Sequence, residues 1–237
     1  MSFLSNLAYA TDIQEEKDYV SSGFSVPESG VYDATIKYAY LSQAQSGAGA
    51  VNFEFDMNGI TYRETMYVTN RNGQNFYVDK KDGSKKYLPA YLNADAIALF
   101  ASGKPLSELK EQPKVINLYN FDQKKEVPTE VPMLTELLGK QVKLGLIKEK
   151  SFKQTKDASG NYVDTDEVRE SAVINKVFSA KDGRTVNEVR AEQTEAEFIT
   201  KWTEKWEGKV NDKTTKSSGA KPATSATNTP KKSGLFG

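Results

Sequence analysis

Val51-Asn52-Phe53-Glu54-Phe55-Asp56-Met57 alternates apolar and polar side chains at a period of two, and Asn58-Gly59 follows directly. That period puts Val51, Phe53, Phe55 and Met57 on one face of a strand and Asn52, Glu54 and Asp56 on the other. Asn-Gly tolerates the two positive φ angles of a tight hairpin, so residues 60–69 return as the partner strand. Upstream, residues 31–41 carry Tyr32, Ala34, Ile36, Tyr38 and Tyr40 at the same period, and Ser46-Gly47-Ala48-Gly49 forms the turn. The three segments make an antiparallel meander.

Downstream, Asn72-Gly73 and Lys81-Asp82-Gly83 mark turns, and residues 75–78 and 85–88 pair as a small hairpin. Residues 93–101 read as a helix, with Ala94, Ile97, Ala98 and Ala101 on one face and Gly103 and Pro105 stopping it. Residues 114–121 are a strand. Val127-Pro128 and Val131-Pro132 bracket a loop, and residues 133–138 are two helical turns closed by Gly139. Residues 141–153 form a long strand with Val142, Leu144 and Leu146 inward. A polar loop spans 157–166, and 169–179 is the last strand. Thr194 opens a helix with Glu197 at the capping-box position. Phe198, Trp202 and Trp206 share one face of that helix and read as a packing seam.

This order predicts a mainly β chain: a five-stranded OB-type antiparallel barrel with inserted short helices, a C-terminal helix and a disordered tail. A sandwich of about seven short strands is the rival, and internal helices argue against it. The predicted segments are an N-terminal arm (1–29) with the acidic run Asp12, Glu15, Glu16 and Asp18, a barrel (30–180), a helix (181–208) and a flexible basic tail (209–237) ending in Leu235-Phe236-Gly237.

Composition narrows the chemistry. The 237 residues include no Cys and no His, so disulfides, thiolate metal sites and Ser-His-Asp catalysis are excluded. No stretch approaches the roughly 20 apolar residues that span a bilayer, and no signal peptide is visible, so a soluble intracellular protein is expected. Formal net charge is zero. Beyond Gly208, however, six lysines face one aspartate, a tail of net +5 on a body of net −5. Glu54, Asp56 and Glu64 lack the spacing of a metal motif and read as a solvated face.

Two stretches pair cations with rings. The first holds Arg63, Tyr67, Arg71, Phe76, Tyr77, Lys80, Lys81, Lys85, Lys86 and Tyr87; the second holds Lys143, Lys148, Lys150, Phe152 and Lys153 among further lysines. Lys37, in the first strand, joins them as a candidate. Cations neutralise phosphates and rings stack on bases, which is what a single nucleic-acid strand requires. Each stretch also has a plain reading: a charged hairpin over core aromatics, and a lysine-protected sheet edge.

Several blocks in order resemble the single-stranded-DNA-binding proteins of tailed bacteriophages. They are Gly30-Val31-Tyr32, the meander with Asn58-Gly59, Tyr67-Val68-Thr69-Asn70, Lys85-Lys86-Tyr87-Leu88-Pro89, Asn93-Ala94-Asp95-Ala96-Ile97, Gly103-Lys104-Pro105-Leu106 and Leu137-Leu138-Gly139-Lys140-Gln141-Val142. The likeness spans roughly residues 3–180 and the extreme C-terminus. It implies an OB fold, sequence-independent binding of single strands without catalysis or cofactor, and service in phage replication and recombination in the cytoplasm of the infected host. It also implies a tail that recruits a polymerase, helicase or other replication protein through a terminal aromatic, here Phe236 with Leu235. Tails of that family are typically acidic and this one is basic, so it is expected either to help hold DNA or to meet an acidic partner. Two other functions stay open: a protein-interaction module using the tail, and a magnesium-dependent nuclease using carboxylates.

Overall fold

The computed structural model describes residues 26–120, 122–158, 160 and 162–214. The acidic run at 12–18, most of the basic tail, and Leu235 and Phe236 lie outside the described residues.

The meander forms as its alternation dictates. Strands β1 (Gly30–Gln43), β2 (Gly49–Met57) and β3 (Ile60–Tyr67) pair antiparallel in order. Val51, Phe53, Phe55 and Met57 are buried. Asn58 and Gly59 take φ of 54° and 87°, and the Gly59 N–H donates to Asp56 Oδ1 at 2.8 Å. Strand β1 departs from strict alternation. Its register with β2 slips between Ile36 and Tyr38, so Lys37 is an extra residue in the strand. Beyond this bulge Ala39, not Tyr38, is buried. The expectation that Tyr38 and Tyr40 share the inner face with Ile36 is corrected: the extra residue inverts the side-chain phase.

A separate two-stranded sheet, β4 (Phe76–Val78) with β5 (Lys85–Tyr87), follows as anticipated. Helix α1 spans Pro89–Ser102, four residues earlier than the apolar pattern suggests, because Pro89 occupies the first turn where no N–H is needed. Its C-cap is Gly103 at φ 76°, whose N–H donates to Leu99 O at 2.9 Å.

The middle of the chain differs most from expectation. Strand β6 (Gln112–Asn120) pairs with β7 (Lys125–Met133), so the predicted proline-bracketed loop is a strand. Pro128 and Pro132 are tolerated because β7 is flanked on its other side only at Met133, where it meets Tyr40. In place of two helical turns at 133–138 there is one 3-10 turn, Thr135–Leu137. Strands β8 (Gln141–Lys156) and β9 (Tyr162–Ser179) form one long hairpin, so the second half of the predicted polar loop, residues 162–166, belongs to β9. Gln154↔Asp164 and Thr155↔Val163 show polar side chains continuing a strand that projects beyond the core.

The capping box sits at Thr185 and Glu188, opening α2 (Val186–Arg190), and not at Thr194. Helix α3 (Glu197–Trp206) has no side-chain cap of its own; its Phe198 N–H donates to Glu188 Oε1 at 2.7 Å. The anticipated seam holds for Trp202, which is buried with Ile147 and Phe178, while Phe198 is 40% exposed.

The sheet is mainly antiparallel and not closed. Strand β1 pairs β8 over residues 30–35 and β2 over 35–43, and β9 continues beyond β8. Short strand β10 (Val210–Asp212) runs parallel to β8 at Lys148–Lys150, just past Leu146, where β1 begins with Gly30. The start of the basic tail is therefore docked: Gly208 N–H donates to Ser29 O at 2.9 Å, and Lys213 pairs with Glu149 at 2.6 Å. Between β3 and β9 side chains replace a ladder. Tyr62 O–H donates to Ala172 O at 3.0 Å, and Ile174 N–H donates to Glu64 Oε2 at 2.8 Å. Helix α1 plugs this end with Ala94, Ile97 and Ala98, and its Asn93 Nδ2 donates to Ile174 O at 2.9 Å.

Candidate nucleic-acid interface

The bulge at Lys37 builds a tyrosine-bearing surface. Past it, the outer face of the meander carries two cross-strand rows, Tyr38–Glu54–Arg63 and Tyr40–Asn52–Thr65. With Phe53 and Glu64 between them they floor a groove of about 350 Å³, whose other lining comes from Asn117, Leu118, Tyr119 and Glu126 of the β6–β7 arm. Tyr38 and Tyr119 are 38% and 53% exposed. Partial burial, with Glu54 beside it, raises the Tyr40 hydroxyl above its ordinary value, so the ring is a neutral phenol at physiological pH.

The polar groups of the floor are engaged with one another. Asn52 Nδ2 donates to Ser42 Oγ at 2.7 Å, and Asn52 Oδ1 accepts from Thr65 Oγ1 at 2.8 Å. Arg63 Nε donates to Glu54 Oε2 at 2.7 Å. A ligand in the groove thus meets ring faces more than unspent donors and acceptors.

Of the residues expected to bind DNA, Arg63 alone lines this groove. Tyr67 lies two residues beyond Thr65 on β3 and is half exposed. Arg71, exposed, lies by the β1–β2 turn, its carbonyl close to Gly47. Phe76, Tyr77, Lys80, Lys81, Lys85, Lys86 and Tyr87 gather on the β4–β5 hairpin. Lys85 Nζ sits 4.9 Å over the Phe76 ring, and the rings of Tyr87 and Tyr91 lie 5.4 Å apart. Lys86 pairs with Asp79, whose carboxyl also accepts the Lys81 N–H, and the two contacts hold Asp79 below the usual carboxylate range. Among the described residues Lys80, Lys81 and Lys85 have no ion pair.

The second stretch is not brought to the groove. Lys143 pairs with Asp33, Lys148 with Glu28 and Glu170, and Lys153 with Glu167. Alternation along β8 also sends these cations to opposite faces: Lys148 and Lys150 follow buried Leu146, while Lys143 shares the Gly145–Ile147 side that α3 covers. Phe152 is half-buried opposite Val168. Lys143, Lys148 and Lys153 thus serve ion pairing between neighbouring segments, and the expected lysine-protected edge is corrected, because β8 is paired on one side by β1 and β10 and on the other by β9.

The three carboxylates expected on one solvated face separate. Glu54 holds Arg63, and Asp56 holds the hairpin turn. Glu64 points inward because its partner in register is Phe53, and burial raises its carboxyl above the ordinary value. Among the described residues no group of three or more potential ligands is placed to hold a metal. No helix there is long and apolar enough to cross a membrane.

Sequence reasoning missed Tyr38, Tyr40 and Tyr119 as site residues. The available signal was Ala39 and Leu41, small and apolar residues that resume the inward phase one position out of step. Compared with known protein families, the chain matches no family model, and a comparison with curated proteins found no match.

Proposed function

We propose that the chain is a non-catalytic protein that binds single-stranded DNA without regard to sequence, on an OB-type five-stranded barrel made of β1, β2, β3, β8 and β9. The OB plan places a helix between its third and fourth strands and a binding face over the early strands. Here α1 precedes β8, and the Glu64 and Tyr62 bridges stand where β3 and β9 would close. The observation that carries the reading is the groove walled by Tyr38, Tyr40 and Tyr119.

Stacking on aromatic faces tolerates any base, contributing about 1–3 kcal/mol per base. The mutual engagement of Asn52, Thr65, Glu54 and Arg63 leaves little to read base edges, which accounts for sequence independence. Such a protein would coat strands exposed during phage replication and recombination.

Fluorescence anisotropy with labelled oligo-dT and a matched duplex tests this. Single strands are expected to bind at least tenfold more tightly than duplex. Tyr38→Ala with Tyr40→Ala is expected to weaken binding by about 2–6 kcal/mol. Equal affinity for duplex, or an unchanged double variant, removes the reading.

A further inference from the structure

We infer that the β4–β5 hairpin, and not the groove, is the site that holds the phosphates of a bound strand; this rests on the reading above and deepens it.

The two requirements of a single-strand site are separated in this fold. The groove offers rings, but its charged lining is Arg63 against Glu54, Glu64 and Glu126. Arg63 is already engaged by Glu54 at 2.7 Å. A phosphate entering there meets no unpaired cation and two acidic side chains on the surface. The lysines of β8 do not supply the lack, because none of them lines the groove, and Lys143, Lys148 and Lys153 are each held by a carboxylate of a neighbouring segment.

The hairpin is the complement. Lys80 and Lys81 stand exposed at its tip, Lys85 faces solvent over the Phe76 ring, and none of the three has an acidic partner among the described residues. Lys86 is neutralised by Asp79 and lies 4.0 Å from Asp82. Exposed Tyr77 and Tyr87 flank these cations. The hairpin is joined to the groove through β3. Arg63, Thr65 and Tyr67 alternate along that strand, and Asn70 then ties the hairpin down through Nδ2 to Phe76 O at 3.2 Å. A strand whose bases enter the groove can continue past Tyr67 to the lysines.

Each phosphate neutralised on a single strand releases counterions and contributes about 0.7 to the slope of log affinity against log salt. The test is oligo-dT binding across a sodium chloride series for the full chain and three variants. Lys80→Ala/Lys81→Ala/Lys85→Ala is expected to lower the slope by about 2, with an unchanged urea midpoint because the hairpin is a sheet of its own. Tyr38→Ala/Tyr40→Ala is expected to weaken binding with the slope intact. Asp79→Asn keeps the Oδ1 that accepts the Lys81 N–H but frees Lys86, so the slope is expected to rise by up to about 0.7. A triple variant that binds with the wild-type slope overturns the inference while sparing the groove. A wild-type protein that binds no oligo-dT overturns both.

Discussion

Glu64→Ala removes a carboxylate that spans the gap between β3 and β9. Two donors lose an acceptor. The Ile174 N–H, 2.8 Å from Glu64 Oε2, is left without its partner, which costs about 1–3 kcal/mol for a buried amide. The Tyr62 O–H, 2.5 Å from Glu64 Oε2, keeps Ala172 O at 3.0 Å, so its loss is nearer the ~1 kcal/mol of an ordinary hydrogen bond. The total is about 2–4 kcal/mol. With a urea dependence of about 2 kcal/mol per molar, the midpoint should fall by 1–2 M, followed through the fluorescence of buried Trp202. The effect should depend on pH. Burial raises the Glu64 carboxyl above its ordinary 4.5, so the folded chain holds this proton more tightly than the unfolded chain. That contribution is complete below about pH 4.5 and is lost as pH rises through the folded value. Glu64→Gln keeps an acceptor but cannot ionise. Wild type should therefore lose stability relative to Glu64→Gln as pH rises above about 4.5, and other carboxylates cancel in the difference. An alanine variant within 0.2 M of wild type, or a wild-type-to-Gln difference independent of pH, refutes the bridge.

Glu188 caps two helices at once, accepting N–H groups from Thr185 and Phe198. Burial pushes its carboxyl up, but those N–H groups outweigh burial and hold it below the usual range. Glu188→Ala should cost about 1–4 kcal/mol in urea unfolding at pH 7, and the deficit should shrink as pH falls below about 4.5, where the unfolded chain takes up this proton first, until the folded carboxylate is protonated as well. At Gly145 a methyl group would come within 3.0 Å of Trp202 and 3.1 Å of Phe178. Gly145→Ala should therefore destabilise by about 1–3 kcal/mol and alter Trp202 emission. Deleting Lys37 should remove the bulge and leave Ile36, Tyr38 and Ala39 opposite Phe55, Glu54 and Phe53, so Tyr38 and Tyr40 stay on the groove face at a cost below about 1 kcal/mol, and Lys37→Ala should stay within about 0.5 kcal/mol; a deletion variant that loses several kcal/mol in urea unfolding would deny Lys37 its place as the extra residue.

The meander and the hairpin turns were legible because their signals are local. Alternation in Val51–Met57 and the backbone freedom of Asn58-Gly59 act over a few residues, and the structure repeats them. The same holds for the β4–β5 hairpin and for the body of α1. The strand at 125–133 and the start of β9 were not legible. Their polar and proline-containing residues pair with β6 and β8 through backbone hydrogen bonds that ask little of side-chain hydropathy. Thr194-x-x-Glu197 and Thr185-x-x-Glu188 have the same capping-box spacing, and only the packing against α3 selects the second.

The site divides in the same way. That rings and cations are interleaved between residues 63 and 87 is a property of the sequence itself, as is the absence of His and Cys that rules out much catalysis. Which of those residues share a surface depended on the tertiary structure. The phase of β1 after Ile36 is set by β2, to which it pairs, and one extra residue there turns Tyr38 and Tyr40 from core to groove. Lys143, Lys148 and Lys153 of β8 are likewise claimed by acids from other segments, Glu28, Asp33, Glu167 and Glu170. Side-chain periodicity is local, but register and ion-pair choice belong to the neighbouring strand, and that neighbour is known only once the chain has folded.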